Sequence, residues 1–290
     1  MLLDQVIVGL VVGASYALLA IGYSLIFASM RLLHFAQGDF LMIGGFISLS
    51  IVSSVTANPF LVIFLVMTSL ALLGYLIERL CYKRIPDHMH AARIIATLGV
   101  GMILKNTAGI IWGAQIRPLS DGFFRGPVVN LGSLRIQPSY YWTLIIGAML
   151  MILLSLFLNR TKVGLAIRAS AYNAEVAEIM GINSAKARTI AFIIAASLTG
   201  CVGIFVAPMT FIHTEMGVSL GMKGFSAAVL GGLGNIPGAM VGGLLLGMIE
   251  TFGATVISSG YKDSIAFIVL ILILVFKPSG LFGTTEPEKI

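Results

Sequence analysis

The chain has 290 residues, 58% of them hydrophobic and only 10% charged, and its mean hydropathy is +1.01. Soluble globular domains carry roughly 25% charged residues, so an ordinary water-soluble enzyme is excluded. The formal net charge of +6 is distributed between hydrophobic segments without a basic patch of interleaved aromatics, which indicates membrane orientation and not nucleic-acid binding.

A bilayer span takes about 20 mainly apolar residues. Segments near 5–27, 40–56, 59–80, 94–113, 140–158, 189–207, 236–257 and 264–276 qualify. The expected fold is therefore an all-α, polytopic transmembrane helical bundle of 8–9 spans, with residues 1–290 forming one transmembrane domain. Met1-Leu2-Leu3-Asp4-Gln5 offers no basic leader and no cleavage site follows, so the first segment is expected to stay as a helix. Cys81 and Cys201 have neither disulfide nor zinc spacing, and no metal site is expected. Gly13-Ala14-Ser15-Tyr16 and His34 would be the material of an intramembrane enzyme, a distant alternative.

With the N-terminus outside, the inner segments hold Arg31, Arg79, Lys83, Arg84, Arg93, Arg160, Lys162, Arg168, Lys186, Arg188, Lys277 and Lys289, twelve of the 18 basic residues. The outer side holds Arg117, Arg125, Arg135, Lys223 and Lys262, and Lys105 falls within a span. That bias obeys the positive-inside rule and places loop 159–188 in the cytoplasm. Eight crossings would leave the C-terminus outside, against the inner boundary suggested by Lys277-Pro278. A short ninth segment, 222–232, repairs the parity as a half-helix beside a pathway. Loop 114–139, with Pro118, Gly122, Gly126, Pro127, Gly132 and Pro138, reads as an extracytoplasmic connection without a core of its own.

Within the cytoplasmic loop, Asn173 is a helix N-cap, Glu175 and Glu178 suit the first turns, and Gly181 suits a left-handed C-terminal cap. These bound a two-turn helix over 174–180. Leu165, Ala169, Tyr172, Val176 and Ile179 or Met180 recur at helical steps along one face. So short a helix needs a partner to hold it; a groove on a cytoplasmic protein fits better than a membrane surface, because 174–180 has no Lys or Arg. Gly234, Gly238 and Gly242 step by four, and Gly243 pairs with Gly247, the spacing at which membrane helices approach closely. Lys105 and Glu250 follow the similar triplets Gly101-Met102-Ile103 and Gly247-Met248-Ile249, and an interior pair between them is expected. His213 and Glu215 are expected to be solvated in an outer loop. No phosphate-binding loop occurs, so any ATP dependence belongs to another chain.

At these residues the chain resembles the permease subunits of high-affinity branched-chain amino acid ABC importers, close to the H-type subunit. The resemblance rests on Gly9 to Ile26, Arg31-Leu32-Leu33-His34-Phe35-Ala36-Gln37-Gly38-Asp39-Phe40, Arg168 to Ile182, Lys223 to Gly238, Tyr261-Lys262-Asp263 and Lys277-Pro278-Ser279-Gly280-Leu281-Phe282-Gly283. His34 stands where the family usually has Asn. The resemblance implies a multi-pass protein of the bacterial inner membrane, importing branched-chain or other aliphatic amino acids by alternating access. It also implies a second homologous permease, two ATPase subunits that bind ATP and magnesium, and an extracytoplasmic binding protein, with no cofactor on this chain. Arg168, Asn173, Glu175, Val176, Ala177, Glu178, Ile179, Met180, Gly181 and Ile182 would couple to the ATPase. Ala177 would allow close approach. Gln37, Lys105, Asn106, Gly231, Gly232, Asn235 and Glu250 would line the pathway. Urea, short amides and sugars are alternative cargoes, and an ion-coupled secondary transporter relying on Glu250 is the alternative mechanism.

Overall fold

The structure, a computed structural model, describes residues 2–86, 88–119, 124, 126–131 and 134–283. Gly122, Arg125, Gly132 and Lys289 lie outside the described residues. In chain order the helices are α1 (Leu2–Met30), α2 (Gln37–Ser54), α3 (Pro59–Leu80), α4 (His90–Trp112), α5 (Pro138–Arg160), α6 (Lys162–Tyr172), α7 (Ala174–Ile179), α8 (Ser184–Thr210), α9 (Met216–Gly231), α10 (Ile236–Val256) and α11 (Lys262–Phe276). Between α4 and α5, β1 (Val129–Leu131) pairs antiparallel with β2 (Leu134–Ile136), Val129 opposite Ile136. The loop expected to have no core of its own thus contains a short ribbon. It is tied to the bundle by a two-way backbone bridge between Arg117 and Ile212.

Seven helices, α1, α3, α4, α5, α8, α10 and α11, are long and apolar enough to cross a membrane. α2, expected as a full span over 40–56, is 18 residues long and carries Gln37, Asp39, Ser48, Ser50, Ser53 and Ser54, polar groups that only a protein surround makes tolerable at depth. The expected half-helix at 222–232 is the C-terminal part of α9. That helix has 16 residues, roughly 24 Å at 1.5 Å per residue, against about 30 Å of hydrocarbon.

Burial separates the centre from the rim. α1 and α8 are apolar all round, and 72% and 83% of their most apolar windows are buried, against 28% for α3 and α4 and 11% for α11. A helix apolar on every face lies either inside the protein or in lipid, and burial places α1 and α8 inside the bundle. α1 lies against α10, α8, α9 and α5, and α2 lies between α8, α9 and α4. Phe40, Phe46, Phe192 and Phe205 are fully buried between these helices.

Helix starts follow the sequence closely. Asn58, Thr161, Asn173, Asn183 and Asn235 each accept a backbone N–H of their own first turn, at 2.9–3.1 Å, and Pro59 and Pro237 occupy first-turn positions where no N–H is needed. The end of α9 is finished differently. The N–H groups of Leu281 and Phe282 donate to the Leu230 and Gly231 carbonyls at 2.8 and 3.1 Å, so the 277–283 segment satisfies carbonyls that the helix end leaves open.

The α1–α10 crossing is close. A Cβ on Gly247 would lie 2.3 Å from the Gly13 Cα, and one on Gly243 would lie 2.2 Å from the Ala17 Cα. Gly238 and Gly242 instead face α9, at Gly231 and Ala227. Gly234 is in the turn before α10, with φ +86°. Of the four-residue stripe read from the sequence, Gly234 is thus a turn glycine, while Gly238 and Gly242 both pack on α9.

Candidate functional site

The connection between α1 and α2 does not stay at the surface. His34 is 1% exposed; its Nδ1 lies 3.0 Å from Gln37 Oε1 and its Nε2 2.9 Å from the Tyr82 hydroxyl, and Gln37 also donates to Thr199. The His34 ring stands edge-on to Phe192 at 5.1 Å between centroids. Irregular backbone at membrane depth requires such internal satisfaction. Gln37, expected on a pathway, is consumed by this network. Ser15 donates to the Val11 carbonyl, so Ser15 and His34 form no nucleophile and base.

Beside this connection a cavity of about 280 Å³ opens on the flank of the bundle. α4 contributes Thr97, Leu98, Gly101, Met102 and Lys105, and α9 contributes Gly217, Val218, Gly221, Met222 and Phe225, the same helical spacing on both. Asp39 of α2 and Tyr23 of α1 close its floor. The Asp39 carboxylate fits because both facing helices carry glycine there: a Cβ on Gly101 would be 2.5 Å from Oδ2, and one on Gly217 3.2 Å from Oδ1. Lys105, one turn along α4 from Gly101, reaches Glu215 with Nζ 2.7 Å from Oε1 and 2.8 Å from Oε2. Both charges lie within electrostatic reach of Asp39.

Lys105 and Glu250 therefore do not form the expected pair. α4 packs on α2 whereas α10 packs on α1 and α9, and Glu250 has other partners. Lys223 Nζ lies 3.0 Å from Glu250 Oε1, the Tyr16 hydroxyl donates to Oε2 at 2.9 Å, and Asp263 Oδ1 is 2.7 Å from the same ammonium. Lys223, assigned to the outer side from the sequence, is 6% exposed inside α9. Glu215 is exposed, as expected of it, and is engaged by Lys105, whereas the His213 Nδ1 is buried with no hydrogen-bond partner among the described residues, against the expected solvation.

The remaining expected pathway residues are dispersed. Asn106 donates to the Met102 carbonyl. Gly231 meets Gly238, and Gly232 meets Gly283. Asn235 caps α10 and donates to the Phe282 carbonyl at 2.7 Å. It lines a second cavity of about 750 Å³ with Arg31, Asn159 and Arg168, at the inner end by the charge bias of these loops. Among the described residues no cluster of three His, Cys, Asp or Glu residues could hold a metal ion.

Loop 159–188, expected on the cytoplasmic side, contains α6 and α7, which meet at Asn173, whose backbone is extended (φ −154°, ψ 109°). This break means that Leu165 to Met180 is not one continuous helical face. Tyr172, Ile179 and Met180 are nonetheless 91%, 83% and 75% exposed, and Leu165 and Val176 are exposed with them. Gly181 has φ +81°, the left-handed conformation expected of it. Ala177 is 4% exposed. Its small side chain serves packing inside this chain, not a partner's approach.

A bundle of this form, with seven helices long and apolar enough to cross a membrane, a buried ion pair and a largely apolar cavity between helices, is that of a polytopic membrane protein. Residues 5–274 match the family described as "Branched-chain amino acid transport system / permease component", and the chain belongs to it. It is 33% identical to the high-affinity branched-chain amino acid transport system permease protein BraD of Pseudomonas aeruginosa, over 99% of this chain and 98% of BraD. It is 30% identical to LivH of Escherichia coli K12, a permease protein of the same printed description, over 99% and 97%. A probable LivH of Methanocaldococcus jannaschii is 28% identical over 92% and 88%. The fold is similar to that of PsaBC from Streptococcus pneumoniae in complex with Fab, with TM-score 0.51 and 15% identity over 97% of this chain and 93% of that one. The chain is thus a multi-pass permease subunit of the inner membrane, a transport component and not an enzyme. An ion-coupled secondary transporter is not favoured.

Proposed function

We propose that the chain imports branched-chain or other aliphatic amino acids by alternating access, paired with a second, homologous permease. Two separate ATPase subunits bind ATP and magnesium, and an extracytoplasmic binding protein delivers the solute. The observation that carries this reading is the near full-length identity to BraD and LivH, whose names give branched-chain amino acid transport. The exposed apolar surface of α6 and α7 supports the ATPase as partner. Tyr172, Ile179 and Met180 project from a loop that holds five of the 18 basic residues, where apolar groups gain free energy only by being covered. α7 is the coupling helix in this reading, with Arg168, Glu175 and Glu178 as rim charges.

Reconstitution of the complete complex in liposomes, with ATP inside and the cognate binding protein outside, tests it. Uptake of leucine, isoleucine or valine that requires ATP is expected. Uptake of urea or ribose in place of these amino acids would overturn the choice of cargo.

A further inference from the structure

We propose that the cavity between α2, α4 and α9 is a transient subsite for a zwitterionic amino acid, reading both of its charges with Lys105 and Asp39. The inference rests on the functional reading above and adds to it a place and a mode of recognition. Three observations carry it. The cavity of about 280 Å³ has the scale of a small solute. Its charges have both signs, an ammonium at Lys105 and a buried carboxylate at Asp39. The remaining wall is apolar, with Leu98, Met102, Val218, Met222 and Phe225.

Such a surface matches an α-amino acid with an aliphatic side chain. The α-carboxylate would take the Lys105 ammonium, the α-ammonium would take Asp39, and the side chain would lie on the apolar wall. Neither a neutral amide nor a sugar uses both charges. Lys105 is not locked away from this task. Its bond to Glu215 joins side chains that are 35% and 65% exposed, and pairs so open to their surroundings hold weakly. An incoming carboxylate can therefore exchange with that of Glu215, which lies outside the cavity lining. The exposed ion pair also indicates what the opening faces, because charges turned toward hydrocarbon are costly. Water or the second permease must lie there, as a transport pathway requires.

Three variants of the complete reconstituted complex test the subsite. Asp39→Asn and Lys105→Met each remove one charge at nearly constant shape. Lys105→Glu combined with Glu215→Lys keeps an ion pair but places the carboxylate in the cavity. Leucine uptake per ATP hydrolysed is expected to fall about tenfold or more in all three, the scale of one lost charged hydrogen bond. Co-purification of the partner subunits establishes that each variant assembles. A purely structural ion pair would instead give wild-type uptake in the exchanged double variant, and that result overturns the proposal. Wild-type uptake in Asp39→Asn overturns it equally. If the wild-type complex moves no aliphatic amino acid, the functional reading fails and the subsite with it. If it does and the variants match it, only the subsite fails.

Discussion

Lys223 of α9 and Glu250 of α10 form an ion pair of 3.0 Å with both side chains under a tenth exposed. Tyr16 of α1 donates to the other carboxylate oxygen, and Asp263 at the start of α11 takes the same ammonium. One lysine thus ties a helix too short to cross the membrane to α10 and α11 directly, and through Glu250 to α1. Separating such a pair leaves one charge buried and unpaired, which typically costs 3–5 kcal/mol, whereas replacing both partners with apolar groups is often nearly neutral. Lys223→Met alone, which strands the buried Glu250, is therefore expected to destabilise the bundle by about 3–5 kcal/mol, and Glu250→Met alone by less, because Asp263 still pairs the ammonium. The double variant should recover much of that loss, with Asp263, itself 62% exposed, left to its surroundings. Unfolding of the purified protein in mixed micelles measures all three, and additive losses in the double variant would show that the two residues act independently.

The α1–α10 crossing gives a second expectation. Gly247→Ala places a methyl group 2.3 Å from backbone on α1, and backbone cannot rotate away as a side chain can. Forced overpacking of this kind costs about 1–3 kcal/mol. Gly99→Ala on α4 is the control, since nothing lies within 4 Å of the added atom, and a helical Gly to Ala change gains about 1 kcal/mol from backbone entropy. The two changes should shift thermal stability in opposite directions. Equal shifts would mean that the close crossing is not what Gly247 provides.

The helices themselves were legible because membrane segments state their length and their caps locally. Asn58, Asn173 and Asn235 announce helix starts from the side chain alone, and the end of α7 at Gly181 was readable from one residue type. Partnerships between distant segments were not. Glu250 meets Lys223 and Tyr16, and Lys105 meets Glu215 across 110 positions, because α9 runs through the bundle where hydropathy suggested an outer loop and a fragment. The similar triplets at Gly101 and Gly247 carried no information about facing. Asp39 had a visible signal, a carboxylate one residue before an apolar run, yet its importance depends on Gly101 and Gly217 being brought opposite it. Burial of Ala177 was likewise invisible, since an alanine suits a partner interface and an internal contact equally.

Asn235 performs two tasks that a single substitution separates from packing. Its carbonyl oxygen accepts the Gly238 N–H at 2.9 Å, and its amide nitrogen donates to the Phe282 carbonyl at 2.7 Å. Loss of an N-cap costs typically about 1 kcal/mol. Asn235→Asp keeps the cap and cannot donate to Phe282, whereas Asn235→Ala loses both. Asn235→Ala is therefore expected to loosen the 277–283 segment and α10 together, and Asn235→Asp only the former. Limited proteolysis near the C-terminus and thermal unfolding, measured on both variants, separate the two effects. Equal unfolding temperatures for the two would show that the cap contributes nothing.

The cytoplasmic loop allows the sharpest distinction between stability and coupling. Ile179 and Met180 are 83% and 75% exposed, so a charge placed there breaks nothing inside this chain. Ile179→Asp should leave the unfolding free energy of the isolated permease within about 0.5 kcal/mol of wild type, as surface changes usually do, and lower ATP-driven uptake by weakening the ATPase contact. Ala177→Asp is the opposite case. At 4% exposure it buries a charge within the permease itself, and destabilisation should appear without any partner present. Gly181→Val lies between them. No atom lies within 4 Å of the added Cβ, but φ is +81°, a backbone conformation costing a branched residue roughly 1–2 kcal/mol. That strain is relieved if α7 frays, so Gly181→Val should lower uptake more than it lowers global stability. Hydrogen exchange of α7, unfolding of the permease alone and uptake by the full complex, measured on the three variants, separate the cases. Normal uptake in both Ile179→Asp and Gly181→Val would remove α7 from the coupling path.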